Sequence, residues 1–386
     1  MSDLVRQEIA TASQTLVVKV GTRVLTRPDG TLNEHRVAEL ALELHEVLAT
    51  GRKVALVSSG AVGAGMGLLG LAERPRDLAH LQAVAAVGQS YLVQTYDRSL
   101  RSFGRHAAQI LLTAEDFDER SRYLNVRNTL LTLLDEYAAV PIINENDTVS
   151  VEELQTTFGD NDKLAAMVTN LIRAPLLVLL SDVDGLYDGD PRQPGAKLVS
   201  TVTRLDESIF ALVRDQRTGL SKGGMASKLN AARMATLSGE NVIIASGRQP
   251  GALKKILAGE NVGTLFVAHG QTIPSFKRWI GFTVQPRGYL ALDDGARRAV
   301  QQQGRSLLAI GVIDSGGTFK KGDVVALRDV AGFEFARGLI NYSADDMTRI
   351  KGQRTETIAA TLGHCPYQEV IHRDNLVVTT TAVPKG

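Results

Sequence analysis

The sequence predicts an α/β fold: a three-layer αβα sandwich with a mainly parallel sheet, followed by a small, mostly β domain of barrel type. Three observations lead there. Short β-branched or Leu-rich runs recur at 15–20, 53–57, 107–112, 140–144, 175–180 and 241–245. They lack the polar alternation of a half-exposed strand, so each reads as a strand buried on both faces. Helix-length amphipathic stretches at 33–49, 78–103, 122–136 and 164–172 lie between most of them, and that alternation specifies a parallel sheet covered on both sides. After about Gly270 helical periods become scarce, and strand candidates at 307–312, 323–327 and 334–340 alternate with Gly-rich turns such as SGGTFKKGD. The expected boundaries are 13–268 for the first domain, 269–284 for a linker and 285–365 for the second domain.

Composition bounds the class. A chain of 386 residues with 44% hydrophobic and 22% charged residues has the makeup of a globular protein with room for two domains. A net charge of +1 makes no global case for nucleic acid or an acidic membrane. The single Cys365 has no internal disulfide partner, which favours a reducing cytoplasm. The opening MSDLVRQEIATASQ carries Asp3 and Glu8 and no apolar stretch, so no signal peptide is expected. The uncharged run 54–72 holds five glycines and two serines, and reads as a buried strand with a glycine-rich loop rather than a membrane span.

Taken in chain order, the strand ends carry the chemistry. Lys19-Val20-Gly21-Thr22 closes the first strand and Ser58-Ser59-Gly60-Ala61-Val62-Gly63 the second. Glycine there lets backbone N–H groups approach an anion, and a following helix presents its positive end. The richest segment, PIINENDTVSVEELQTTFGDNDKL from Pro141 to Leu164, sets Glu145, Asp147, Asp160 and Asp162 with Asn144, Asn146 and Asn161 behind a buried strand. Open α/β sheets bind ligands at that edge, so the cluster suits a small, polar, charged molecule. A third glycine turn, Lys222-Gly223-Gly224-Met225-Ala226-Ser227-Lys228, opens a helix and suits a nucleotide phosphate tail. Neither a GxxxxGK[ST] loop nor a dinucleotide GxGxxG is present.

Each feature also has a plain structural reading. The Asn144–Asp147 group could form an Asx-rich turn, and Asp160 and Asn161 could cap the next helix. Lys19 and Lys228 would by default be solvated, although Lys19 ends a buried run directly before a glycine turn. His35, His45, His80 and His106 lack metal-ligand spacing. The basic excess after Gly270 is too slight to argue for RNA.

The motifs VVKVGT, VSSGAVGAG, PIINENDT, FGDNDKL, SDVDGLY and GGMASKL, in this order, resemble the amino acid kinase family, and within it most closely the glutamate 5-kinase branch. Downstream, KRWIGF, DDGARRAV and a β-rich stretch resemble a PUA domain. The resemblance implies ATP-dependent phosphorylation of the side-chain carboxylate of L-glutamate, the first step of proline biosynthesis. It implies Lys19 and Lys228 as catalytic cations, with Asp162 between them as their orienter. Ser59, Asp147 and Asn161, with Asp160 added, would contact substrate, and Asp147 would pair with the glutamate ammonium. Lys19, Ser181, Asp182 and Lys222, Gly223, Gly224, Met225, Ala226, Ser227 and Lys228 would contact ATP. Mg²⁺ is expected on the phosphates, with no protein ligand named. Arg23 stands where many relatives carry a small hydroxyl residue, and its direction decides whether it matters.

The resemblance further implies feedback inhibition by L-proline, a homo-oligomer (dimer or tetramer) and coupling to a glutamyl phosphate reductase. Two other classes stay open: a kinase acting on N-acetylglutamate, aspartate, carbamate or a nucleoside monophosphate, and an RNA-associated regulatory protein using the PUA-like domain. Asp147 favours a substrate with a free ammonium, and retention of Lys19 and Lys228 favours an enzyme.

Overall fold

The computed structural model describes residues 3–137, 139–149, 161–193, 195–214, 224–268, 275–363 and 367–380. The chain divides into two compact units, Met1–Gly270 and Gln271–Gly386.

In the first unit the strands are β1 Thr15–Val20, β2 Lys53–Ser58, β3 His106–Leu112, β4 Ala139–Glu145, β5 Leu176–Ser181, β6 Thr201–Val202, β7 Asn241–Ser246 and β8 Thr264–Phe266. The helices are α1 Leu4–Ala12, α2 Thr22–Leu25, α3 Glu34–Ala49, α4 Ala61–Leu69, α5 Leu78–Arg101, α6 Glu115–Asp118, α7 Arg120–Asp135, α8 Asn161–Ile172, α9 Glu207–Arg214, α10 Met225–Ser238 and α11 Ala252–Leu257. The eight strands form one sheet in the order β3-β4-β2-β1-β5-β7-β8-β6, parallel except where β7 meets β8. The expected strand runs match six of these within a residue or two.

Two expectations in this unit need correction. The stretch read as a glycine-rich loop after β2 is helical over Ala61–Leu69. The run 107–112 was expected to be buried on both faces, yet of β3 only Leu112 is fully buried. The strand lies at the sheet edge and pairs with β4 alone, so His106 and Gln109 reach solvent.

Strand alternation sorts the two covers. Leu16, Val18 and Val20 of β1 join Leu56, Val178 and Leu180 in a core with Leu40 and Leu44 of α3 and Leu92 and Tyr96 of α5. Val17 and Lys19 therefore point to the opposite face, where α8 packs on β1 and α10 packs on α8. On the first face α4 and α5 cross very closely. A Cβ on Gly88 would lie 1.8 Å from the Ala61 carbonyl oxygen, and one on Gly65 1.9 Å from that of Val84, so only glycine permits the crossing.

The second unit holds β9 Gly288–Leu292, β10 Val312–Gly317, β11 Val324–Arg328, β12 Glu334–Leu339 and β13 Leu376–Val378, in the order β10-β9-β11-β12-β13. Its core gathers Leu290, Val325, Leu327, Phe335, Met347, Ile358 and Ile371. Helices α12 Ser275–Arg278, α13 Asp294–Gln301, α14 Ala344–Ile350 and α15 Thr355–Leu362 are more than the scarce helical periods predicted, since each spans only one or two turns. The expected strand 307–312 is displaced: Leu307 bridges Ile371, Ala309–Gly311 make a tight turn, and the strand runs over Val312–Gly317. Of the stretch expected as a linker, Ser275–Arg278 and Trp279–Thr283 are helical, with Trp279, Ile280 and Phe282 buried.

Candidate active site

The carboxyl ends of β1 and β5 sit side by side at the middle of the sheet, and chain connections leave them in opposite directions, β1 towards β2 and β5 towards β7. Such a switch point opens a crevice at the sheet edge. The Gly21 N–H donates to the Leu180 carbonyl at 3.1 Å, holding the first glycine turn against β5.

Three charged side chains meet on the α8 face. Lys19 Nζ lies 2.7 Å from Asp162 Oδ1, and Lys228 Nζ lies 3.0 Å from Asp162 Oδ2, so each carboxylate oxygen holds one ammonium. Asp162 is wholly buried, and Lys19 and Lys228 are 5% and 6% exposed. Burial works to raise the Asp162 carboxyl pKa; the attraction of Lys19 and Lys228 together overcomes it and holds the group below its ordinary value. Local structure explains the placement. Asp162 stands in the first turn of α8, where the helix dipole favours an acid. Lys228 stands in the first turn of α10, where the dipole opposes a cation, so its position requires the Asp162 partner. Within this triad two ammoniums share one carboxylate.

Beside the triad runs a chain of amides. Asn161 Nδ2 donates to Ser59 Oγ at 2.8 Å and to Asn144 Oδ1 at 3.0 Å, and Asn144 Nδ2 donates to Gln89 Oε1 at 2.8 Å. Asn161 Oδ1 is buried and has no hydrogen-bond partner among the described residues. Ser59 is placed by its own N–H, which donates to the Val20 carbonyl, and by the left-handed turn at Gly60 (φ 110°), a conformation that glycine adopts without strain. Asp147 lies in the turn after β4, half-buried, at the same sheet edge.

On the β5 side, Ser181 is buried and its hydroxyl donates to Asp182 Oδ1 at 3.2 Å. Asp182 Oδ2 also meets Arg23 Nη1 at 3.1 Å and Arg248 Nη2 at 3.7 Å. Partial burial works to raise the Asp182 carboxyl, but hydrogen bonding led by Arg23 outweighs it and holds the group low. Arg23 therefore turns towards Asp182, which answers the question of its direction.

The structure thus brings together Lys19, Asp162 and Lys228, and joins Asn161 to Ser59. Gly224 caps α10, and Met225, Ala226 and Ser227 form its first turn with Lys228. Asp160, Lys222, Gly223 and Cys365 lie outside the described residues. Sequence reasoning passed over Gln89 and Arg248. Gln89 falls in the core-facing stripe of α5 with Leu81, Val84, Ala85, Leu92 and Tyr96, and a polar residue in such a stripe was the available signal. Among the described residues no group of three or more His, Cys, Asp or Glu could hold a metal ion. The one buried carboxylate at the centre, Asp162, is taken up by two lysines, so this donor set suits a cation that arrives bound to phosphate oxygens.

Comparison with known proteins agrees with this geometry. Residues 14–246 match the amino acid kinase family and residues 288–362 the PUA domain. The chain is 49% identical over 374 residues to a glutamate 5-kinase from Rhodopirellula baltica, covering 97% of this chain and 96% of that one. It is 47% identical to a glutamate 5-kinase from Acaryochloris marina, covering 95% and 100%, and 44% identical to one from Caldanaerobacter subterraneus, covering 94% and 97%. With its sheet, its crevice and its glycine turns, the chain belongs to the amino acid kinase family, in the glutamate 5-kinase branch, and carries a PUA domain.

Proposed function

We infer that the protein is a phosphotransferase that moves the γ-phosphoryl group of ATP to the side-chain carboxylate of L-glutamate, giving L-glutamyl 5-phosphate and ADP. The observation that carries this reading is the buried Lys19–Asp162–Lys228 triad at the switch point, alongside near full-length relatives that bear the name glutamate 5-kinase.

A glutamate side chain has a reference pKa of about 4.3 and is ionised at neutral pH, so the attacking oxygen needs no base. One carboxylate oxygen attacks the γ-phosphorus as the bond to the β,γ-bridging oxygen breaks, and the leaving ADP takes those electrons. Two anions must approach, and positioned cations lower that barrier. Lys19, from the β1 end, and Lys228, from the start of α10, would flank the transferring group. Asp162 holds both ammoniums and donates no proton. Mg²⁺ bound to ATP would add positive charge on the phosphate oxygens. Ser59, Asn161 and Asp147, with Asp160, would hold the amino acid. Ser181, Asp182 and the turn from Lys222 to Lys228 would hold the nucleotide.

Further parts of the reading rest on the family resemblance alone: inhibition by L-proline, a dimeric or tetrameric assembly, and handover of the acyl phosphate to a glutamyl phosphate reductase; residence in the cytoplasm rests on the single Cys365. Among the described residues no helix is long and apolar enough to cross a membrane.

Hydroxylamine traps acyl phosphates as hydroxamates, which gives the test. Purified protein with Mg²⁺, ATP and L-glutamate should form a hydroxamate. A signal with N-acetylglutamate or aspartate and none with L-glutamate would overturn the assignment.

A further inference from the structure

The close crossing of α4 and α5 has a chemical result. Gly88 approaches α4 so nearly that a Cβ there would also lie 2.2 Å from the Gly65 nitrogen, and the next residue, Gln89, is carried to the carboxyl end of β4. There it meets Asn144. Gln89, Asn144 and Asn161 are 7%, 3% and 5% exposed, so their amides have little water to turn to.

A chain of buried amides has a direction. Gln89 Oε1 accepts from Asn144 Nδ2, which leaves Asn144 Oδ1 facing Asn161. Asn161 Nδ2 then spends its two hydrogens on Asn144 and on Ser59 Oγ. Two consequences appear at the far end. Asn161 Oδ1 is left as a buried acceptor with no partner among the described residues. Ser59 Oγ, already accepting, has its own proton to give. A lone acceptor next to a lone donor matches an α-ammonium next to an α-carboxylate. Turning the Gln89 amide by itself would set its Nε2 against Asn144 Nδ2, donor against donor; Gln89 Nε2 has no hydrogen-bond partner among the described residues, so the three amides hold their direction together.

We propose that Gln89, acting through Asn144, is a positioning residue that sets the hydrogen-bond polarity of the amino-acid site, so that Asn161 accepts from the substrate ammonium while Ser59 donates to its carboxylate. The proposal rests on the reading of the site as one for a free amino acid. Gln89 touches no reacting atom; its effect reaches substrate through two amides.

Two variants test it. Gln89→Met keeps the length and removes the acceptor; the KM for L-glutamate should rise about tenfold, the KM for ATP should stay within about twofold, and kcat should change little. Gln89→Glu keeps an acceptor towards Asn144 and should restore much of the glutamate affinity that Gln89→Met loses. An unchanged glutamate KM in Gln89→Met would overturn the proposal. So would parallel changes in both KM values with a lowered melting temperature, which a merely structural role gives. Poorer glutamate binding by Gln89→Glu than by Gln89→Met would mean the opposite polarity, and would overturn it too. Wild-type protein in the same hydroxamate assay separates the two levels: with a wild-type glutamate signal only the role of Gln89 is at stake, and without one the reading of the site fails with it.

Discussion

Replacing Asp162 by Asn changes one oxygen to NH₂ in a fully buried place, and the geometry sets the consequence. At 2.7 and 3.0 Å, with an effective dielectric of about 20, the gross attractions to Lys19 and Lys228 are about 6 and about 5.5 kcal/mol. Desolvation offsets much of that, and removing one partner from a buried ion pair typically costs about 3–5 kcal/mol. Asn keeps a single acceptor, so it can hold one ammonium while its NH₂ opposes the other. One lysine must leave its place. Loss of a positioned donor to developing charge lowers turnover by about 10² to 10³. For Asp162→Asn we expect kcat to fall by that factor, with the KM for L-glutamate within about threefold, because Ser59 and Asn161 are untouched. Steady-state kinetics with both substrates varied reads this directly. An unchanged kcat would refute the orienting role, and a lost glutamate affinity at normal kcat would move Asp162 into the substrate site. The pH dependence follows from the depressed carboxyl. Its stabilising contribution is present above the unfolded value of about 3.9 and is lost as pH falls through the folded value. The advantage in melting temperature of wild type over Asp162→Asn should therefore shrink as pH is lowered below about 4.

Other outcomes are expected elsewhere. The Arg23–Asp182 pair is half-exposed on the arginine side, so Arg23→Ser should cost under about 1 kcal/mol of stability and raise the KM for ATP only about two- to fivefold. That rise should fade at about 1 M salt, where screening acts within about 3 Å; a rise that persists would mean more than a surface charge. Gly88→Ala should lower stability by about 3 kcal/mol or more in chemical denaturation, because the new Cβ meets backbone atoms on α4 that cannot turn aside. In the second unit, Ser343 and Asp346 form a capping box at the start of α14, and Ser343→Ala should cost that unit about 1 kcal/mol in a thermal melt.

Much of the first unit was legible because a doubly covered strand must be apolar throughout. The ends of β1, β2, β4, β5 and β7 followed directly from where the Val, Ile and Leu runs stop. What the runs could not tell was which strand lies at an edge, since one Gln within the run 107–112 is weak evidence of exposure until β3 is seen to have β4 as its one partner. In the site, Lys19 was conspicuous because a charge inside a buried run needs a reason. Its meeting with Asp162 and Lys228 depends on α8 and α10 stacking over one face of β1, a tertiary fact that no local pattern carries. Gln89 was hidden for the opposite reason. One polar residue in an amphipathic stripe looks like an imperfection until Asn144 is seen against it. The short helices of the second unit were missed because one or two turns give almost no period to read.

The central claim is that charge placement, with no proton abstraction, drives the transfer. The most direct test is kcat at saturating L-glutamate and Mg²⁺-saturated ATP, followed from about pH 6.5 to about pH 8.5. A nucleophile ionised above about pH 4.3 predicts a level profile across that range. A tenfold fall per pH unit on the acid side, marking a group that must first lose its proton, would contradict the account.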